Sequence, residues 1–161
     1  MTSNIMCNDC YMDRYTPDEI EEYFYKRFGV LYDREISIVR DLCETPGDVE
    51  IIMSYDATIF YDYVQLVVDN IAEISLANVF KILNNVALKD DAEGYDLRLF
   101  WKAFMKVCTD KCKSEEYLPK QYGYLESALS TSKYLQKLTI KGINKQMLID
   151  NWVLEIRDLW N

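Results

Sequence analysis

Apolar residues recur at intervals of three and four positions along most of this chain, which is the period of an amphipathic α-helix. The first such stripe joins Ile20, Phe24 and Phe28. Residues 16–19 precede it and supply a capping threonine, a proline at the first helical position and a glutamate three residues after the cap. Gly29 follows as a stop signal. The pattern predicts a helix between these two signals.

The same period continues to the end of the chain and defines six more segments. They lie at about residues 34–44, 48–74, 76–88, 97–108, 117–138 and 144–160, and the second breaks into two pieces near Tyr55-Asp56. No convincing hairpin separates them. The chain is therefore predicted to be all-α, a bundle of seven to eight helices. Residues 1–15 are expected to form a flexible arm and residues 16–161 one helical domain.

The charge balance argues against two classes of partner. The 161 residues carry 27 acidic and 18 basic side chains, a formal net charge of -9. A negative protein repels the phosphates of nucleic acid and of anionic membranes, so neither is expected as a partner. No apolar run reaches the ~18 residues of a membrane span. Residues 1–10 lack the features of a signal peptide, so a reducing cytoplasm is the expected location.

The sequence contains no group of residues that would support catalysis. The chain contains no histidine, which removes the commonest general base and the serine triad. Its five glycines are scattered and form no phosphate-binding loop. We therefore predict that the protein is not an enzyme and needs no cofactor.

A metal site formed by four cysteines is an alternative of a different functional class, a metal-dependent structural module. Cys7 and Cys10 form a C-x-x-C pair, and Cys108 with Cys112 would have to complete a tetrahedron of thiolates about 2.3 Å from zinc. The second pair has the spacing of a helix and not of a zinc knuckle. We therefore predict that no metal is bound and that Cys43 and Cys108 are core residues.

A single arginine lies at the start of the most apolar segment. The turn glycine Gly94 is followed by Arg98, which falls in the first turn of the helix predicted at 97–108. A cation there gains nothing from the helix dipole, whose N-terminal end is positive. Two interpretations are open: Arg98 is a solvated first-turn residue, or it pairs with an acidic group of a partner docked beside the helix.

Four segments, in the right order along the chain, resemble the homology motifs of the Bcl-2 family of apoptosis regulators. Residues 19–28 look like the N-terminal homology helix, with an acidic start followed by aromatic and basic residues. Residues 39–42, followed by Gly47-Asp48, are similar to the BH3 segment, although the gap is one residue longer than in the family and contains Pro46.

The other two segments lie in the second half of the chain. Residues 93–98 look like the family's Asp-Gly followed by Asn-Trp-Gly-Arg, of which Gly94 and Arg98 are kept. Residues 149–152 with 159–160 are similar to the C-terminal homology motif without its paired glycines. Degenerate motifs, a short first connection and an end at Asn161 without a hydrophobic anchor resemble the viral members of the family.

The resemblance implies a Bcl-2-like fold in which a central helix, here 97–108, is wrapped by amphipathic helices. It also implies a hydrophobic groove that takes the BH3 helices of pro-apoptotic proteins. In the family, the arginine at the position of Arg98 pairs with an aspartate of the ligand helix. The function implied is that of a viral-type anti-apoptotic protein in the host cytoplasm, with a homodimer as a further candidate assembly.

The groove implied by this resemblance has two walls and a charged edge. One wall is expected to contain Tyr55, Phe60, Val64 and Val67, the other Val79, Ile82, Leu83 and Val86, with Arg98 at the edge. An alternative stays open, because some viral proteins of this fold bind no BH3 ligand. They inhibit innate immune (NF-κB-type) signalling through other protein interfaces. An open apolar groove beside Arg98 would distinguish the two functions.

Overall fold

A computed structural model describes residues 14–29, 33–71, 83, 86–87 and 95–160 of the chain. The described elements are, in chain order, α1 (Pro17–Phe28), α2 (Asp33–Leu42), α3 (Pro46–Ser54), α4 (Ala57–Ile71), β1 (Val86–Ala87), β2 (Tyr95–Asp96), α5 (Leu97–Ser114), α6 (Leu118–Lys137) and α7 (Lys145–Trp160). The predicted all-α, helical-bundle class is confirmed over these residues. Its Bcl-2-like form stays a prediction. The chain divides into two compact units, Met1–Tyr61 and Asp62–Asn161.

In the first unit, α1 is closed at both ends by the signals predicted from the sequence. The Thr16 hydroxyl accepts a hydrogen bond from the Glu19 N–H at 3.2 Å, and the Glu19 carboxylate accepts one from the Thr16 N–H at 3.0 Å. These two bonds are a capping box. Gly29 ends the helix at a φ of 92°, a conformation that other residues adopt only with strain. Ile20 and Phe24 of the predicted stripe are buried.

The segment that is similar to BH3 forms two helices and not one. α2 ends at Leu42, and α3 begins at Pro46, which cannot continue the hydrogen bonds of the preceding helix. The Thr45 hydroxyl caps α3 by accepting from the Asp48 N–H at 3.1 Å. The Asp48 carboxylate, only 4% exposed, accepts in turn from the Glu44 N–H at 3.1 Å. Asp48 therefore serves as a local cap inside the unit.

Two acidic residues near the start of α1 contact α2. Arg40 Nη1 lies 2.8 Å from Asp18 Oδ1 and 2.8 Å from Glu21 Oε2. The same guanidinium serves two carboxylates, and these hydrogen bonds raise the pKa of Arg40, with the bond to Asp18 as the largest cause. Ion pairs exposed in this way contribute little to stability, because solvent screens them.

The predicted break near Tyr55-Asp56 is confirmed between α3 and α4. Asp56 adopts a φ of 69°, which aspartate tolerates better than most residues. Its carboxylate accepts from the Thr58 N–H at 3.0 Å and from the Thr58 hydroxyl at 2.8 Å. The hydroxyl bond is the largest cause of a lowered pKa at Asp56.

In the second unit, α5 extends over the predicted segment 97–108 and continues to Ser114. Eight of its residues are buried on more than one face, as expected for a helix surrounded by others. Its aromatic rings meet Trp152 of α7. The ring centroids lie 4.9 Å apart for Phe104, 5.8 Å for Trp101 and 6.0 Å for Phe100. This aromatic cluster, Phe100, Trp101, Phe104 and Trp152, forms the core between α5 and α7.

Two charged contacts hold α4 to the helices of this unit. Lys111 Nζ of α5 lies 2.6 Å from Asp69 Oδ1 of α4. The Arg157 guanidinium of α7 donates to the carbonyl of Ile71 at 3.1 Å. Because the last carbonyls of a helix lack partners within it, this arginine caps the C-terminal end of α4.

The predicted helix at 76–88 is wrong at its C-terminal end. Val86–Ala87 is a strand that pairs in parallel with Tyr95–Asp96, with Val86 opposite Tyr95. A short apolar run fits either a helix or a strand, and pairing with the residues that lead into α5 decides between them. Leu83 is buried, and the rest of the predicted segment lies outside the described residues.

The packing of α6 on α7 depends on small residues and two tryptophans. Trp152 Nε1 donates to the Thr131 hydroxyl at 2.9 Å, and Trp160 Nε1 donates to the Ser127 hydroxyl at 3.0 Å. Each hydroxyl donates in turn to the carbonyl four residues earlier, at 2.7 Å. The Trp160 ring lies against Gly123, where a Cβ atom would come within 2.8 Å of it.

Replacing Gly123 with alanine is therefore expected to lower stability, although alanine favours a helix by ~1 kcal/mol. Crowding against the Trp160 ring costs ~1–3 kcal/mol and should outweigh that gain. Thermal melting should show a lower midpoint for Gly123→Ala. Gly47→Ala is the matched control, because its Cβ would meet only the Thr45 hydroxyl at 3.7 Å. A midpoint above that of the unmodified chain would mean that the ring does not lie on this glycine.

Candidate functional site

Arg98 lies in the first turn of α5, as predicted. The Asp96 carboxylate caps the helix by accepting from the Leu99 N–H at 3.1 Å. Leu97, Leu99 and Phe100 are all buried, whereas Arg98 is half-buried. The first turn therefore leaves this cationic side chain half-buried while its neighbours enter the core.

Four of the eight residues predicted to form the groove walls are buried. Phe60 and Val64 are 0% exposed, Val67 is 1% exposed and Leu83 is 5% exposed. These four side chains therefore present almost no exposed apolar surface.

The other four predicted wall residues give little information about the groove. Tyr55 is half-buried, and Val86 belongs to β1. Val79 and Ile82 lie outside the described residues, as does the side chain of Val86. Tyr55 and Phe60 belong to the first unit, whereas Val64, Val67, Leu83 and Arg98 belong to the second.

The cysteines of the alternative metal site have unequal surroundings. Cys108 is buried, as is Cys43, so the prediction of two core cysteines is confirmed. Desolvation raises the pKa of the Cys108 thiol to about 12. Burial at this position therefore disfavours the charged thiolate form that a metal ligand requires. Cys7 and Cys10 lie outside the described residues, and no group of metal-ligating side chains occurs among the residues described.

Removal of metal is expected to leave the fold unchanged. If no ion is bound, treatment with EDTA should not alter the thermal melting midpoint or the far-ultraviolet dichroism. A structural zinc would behave differently, because its binding free energy is part of the folding free energy. A large drop in the midpoint, reversed by added zinc, would therefore establish the four-cysteine site.

An exposed apolar face on α6 was not foreseen from the sequence. Leu118, Tyr122, Leu125 and Leu129 are 56%, 55%, 46% and 57% exposed and fall on one side of the helix. We call these four residues the α6 stripe. The signal was present in the sequence, because the small residues that fit against α7 lie on the opposite side: Gly123, Ser127 and Thr131.

A groove between α6 and α7 adjoins the end of the α6 stripe. It has a volume of about 350 Å³ and is lined by Leu129 and Leu159 together with the polar side chains of Glu126, Ser130, Lys133 and Glu155. The Ser130 hydroxyl donates to the Glu155 carboxylate across it. The groove can receive an apolar side chain beside charged ones.

Over the part of the chain that the structure describes, no helix combines the length and apolar character needed to cross a bilayer. Comparison of the chain with family models, curated proteins and solved structures gave no match.

Proposed function

We propose that the protein acts by binding, as a viral-type anti-apoptotic protein that sequesters the BH3 helices of pro-apoptotic Bcl-2 proteins. The observation that carries the proposal is Arg98, a half-buried cation in a turn whose neighbours Leu97, Leu99 and Phe100 are buried. The four sequence segments that resemble the Bcl-2 motifs supply the ligand class.

In the mechanism proposed, the ligand is an amphipathic helix with apolar anchors at helical spacing. Its anchors would contact the groove walls, and its aspartate would meet the Arg98 guanidinium in a charge-assisted hydrogen bond. Because Phe60, Val64 and Val67 are buried, binding must be coupled to an opening of the walls. The apparent affinity is then the affinity of the open form multiplied by the fraction of molecules that are open.

The test of this function is titration calorimetry of the full chain against a panel of BH3 peptides. Arg98→Ala is expected to weaken binding by ~1.5–3 kcal/mol, or about ten- to a hundred-fold, through loss of a charged hydrogen bond. Arg98→Lys should recover only part of the affinity, because lysine cannot make the two-pronged contact. Arg27→Ala is the control, since that arginine pairs with Glu50 in the first unit.

A double-mutant cycle tests the contact itself. Peptide with its aspartate changed to alanine should lose about as much affinity as Arg98→Ala. The two changes together should cost little more than either alone, because both remove the same interaction. Losses that simply add would show that Arg98 and the ligand aspartate do not meet.

A second candidate function, inhibition of innate immune (NF-κB-type) signalling, is favoured by the α6 stripe. Its four half-exposed apolar residues offer a protein-binding surface that needs no opening. A signalling reporter assay separates the two functions. Under this alternative, Leu125→Glu should abolish inhibition and Arg98→Ala should not. The opposite pattern, together with BH3 binding, would favour the groove.

A further inference from the structure

Four lysines form a basic segment in an otherwise acidic chain. Residues 127–149 contain no aspartate or glutamate, although the whole chain carries a net charge of -9. Lysine occurs there at every fourth position, as Lys133, Lys137, Lys141 and Lys145, and all four are exposed. This uninterrupted run of positive charge covers the end of α6, the turn that follows and the start of α7.

The turn between α6 and α7 fixes the arrangement of these lysines. α6 ends at Lys137 and α7 begins at Lys145. Within the turn, the Ile140 N–H donates to the carbonyl of Lys137 at 3.1 Å, and the Ile143 N–H donates to the carbonyl of Ile140 at 3.3 Å. Gly142 adopts a φ of 79°, a conformation that favours glycine. The turn is therefore a defined structure held by its own hydrogen bonds.

Two exposed apolar side chains accompany the lysines. Ile140 is 54% exposed, and Met147 in the first turn of α7 is 61% exposed. We call the five residues Lys137, Ile140, Lys141, Lys145 and Met147 the basic turn. Methionine adapts its shape to different partners, which suits an interaction surface. A complementary partner should therefore carry both carboxylates and an apolar side chain.

The contacts of the fold do not account for this positive charge. Two other lysines show the contrast, since Lys26 Nζ lies 3.0 Å from the Glu22 carboxylate. Lys111 Nζ likewise lies 2.6 Å from the Asp69 carboxylate. No lysine of the basic turn makes such an ion pair with a residue that the structure describes. Lys145 is moreover the first residue of α7, where the helix dipole disfavours a cation.

We propose that the basic turn binds an acidic segment of another protein. Carboxylates of that segment meet the ammonium groups of Lys137, Lys141 and Lys145, and an apolar side chain of the segment lies against Ile140 or Met147. The basic turn shares no residue with the α6 stripe or with the predicted ligand groove. The inference therefore goes beyond the proposed function and does not rest on it.

A protein segment fits these observations better than other polyanions do. A bilayer or a nucleic acid duplex is extended, so its approach would also be opposed by the acidic remainder of the chain. A short acidic segment has to meet only the basic turn. Single-stranded nucleic acid is held by stacking on aromatic rings and guanidinium groups, and the basic turn contains neither.

Fluorescence anisotropy of the full chain with a labelled probe peptide tests the proposal. The probe consists of glutamates with a leucine at every fourth position, and its control has glutamine in place of each glutamate. The acidic probe should bind at least about ten-fold more tightly than the control. Raising the salt concentration from ~50 to ~500 mM should weaken its binding, because salt screens exposed charges. Equal binding of the two peptides, or no binding of the acidic one, would overturn the proposal.

Substitution of the lysines locates the contact. Lys141→Gln combined with Lys145→Gln should weaken probe binding by roughly three- to twenty-fold. Lys113→Gln combined with Lys120→Gln is the matched control, because those two lysines are also exposed and their loss changes the net charge equally. Equal losses from the two double variants would contradict the proposal, since net charge and not the basic turn would then govern binding. Far-ultraviolet dichroism verifies that each variant is folded.

The apolar contact and the class of partner have separate tests. Ile140→Ser should weaken probe binding by roughly two- to ten-fold, whereas Leu154→Ser, at a residue of similar exposure on α7, should not. Vesicles of equal parts phosphatidylcholine and phosphatidylserine should bind more weakly than the probe. Tighter binding to these vesicles, lost in the variant with both Lys141→Gln and Lys145→Gln, would overturn the proposal in favour of a lipid surface. None of these outcomes depends on whether BH3 peptides bind.

Discussion

Replacing Phe104 with alanine is expected to destabilise the second unit by ~3–5 kcal/mol. The side chain is 0% exposed, and its ring meets that of Trp152 edge-to-face with centroids 4.9 Å apart. Alanine would remove the ring and leave a cavity in the aromatic cluster, where the surrounding helices cannot collapse fully. Urea unfolding followed by tryptophan fluorescence measures the loss, because Trp101, Trp152 and Trp160 all belong to this unit.

Met105→Ala is the matched control for this prediction. Met105 follows Phe104 on α5 but is only half-buried, so its truncation should cost much less. Phe104→Leu should also cost less than alanine, since it keeps most of the volume. Near-neutral stability of Phe104→Ala would place the ring outside the core and change the assigned face of α5.

Trp152→Ala is expected to have an effect of similar size, ~3–5 kcal/mol, for two separable reasons. The indole is 0% exposed and contacts three aromatic rings of α5. Its N–H also donates to the Thr131 hydroxyl at 2.9 Å, which joins α7 to α6. Trp152→Phe keeps a ring but removes the donor, so it should lose about 0.5–1.5 kcal/mol for the hydrogen bond and a little more for the smaller volume.

Trp160→Phe provides the comparison for that hydrogen bond. Trp160 makes the equivalent bond to Ser127 at 3.0 Å but is half-buried, so water can replace the lost donor and the cost should be smaller. If Trp152→Phe proved as damaging as Trp152→Ala, the hydrogen bond and not ring packing would dominate at this position. The aromatic cluster would then contribute less than its burial indicates.

Local signals near helix ends were read correctly from the sequence because they act over three or four residues. The capping box at Thr16 and Glu19, the stop at Gly29 and the break at Asp56 all occur as predicted. Each depends on hydrogen bonds between neighbours in the chain or on the φ preference of one residue. Such effects need no knowledge of distant contacts.

The sequence alone predicts only part of the candidate site. The position of Arg98 in the first turn of α5 follows from the chain alone. The degree to which Phe60, Val64 and Val67 are covered does not, because a helical stripe identifies apolar residues without saying whether protein or a ligand covers them. The binding of a BH3 helix there stays a prediction.

Two further features show what long-range contacts decide. Val86–Ala87 forms a strand because the residues before α5 offer it a backbone partner, although its own pattern suits a helix equally well. On α6, the tryptophans of α7 select the face that carries Gly123, Ser127 and Thr131, since only small residues allow the indoles to approach. The larger apolar residues are left outside as a result.

The sequence by itself determined the all-α class, most of the described helix ends and the placement of Arg98, because these depend on periodicity and on neighbours along the chain. Tertiary structure alone decided which apolar faces are covered. Burial is a property of pairs of elements far apart in sequence: Trp152 and Trp160 cover one side of α6, and nothing within the described chain covers Leu125 to the same extent.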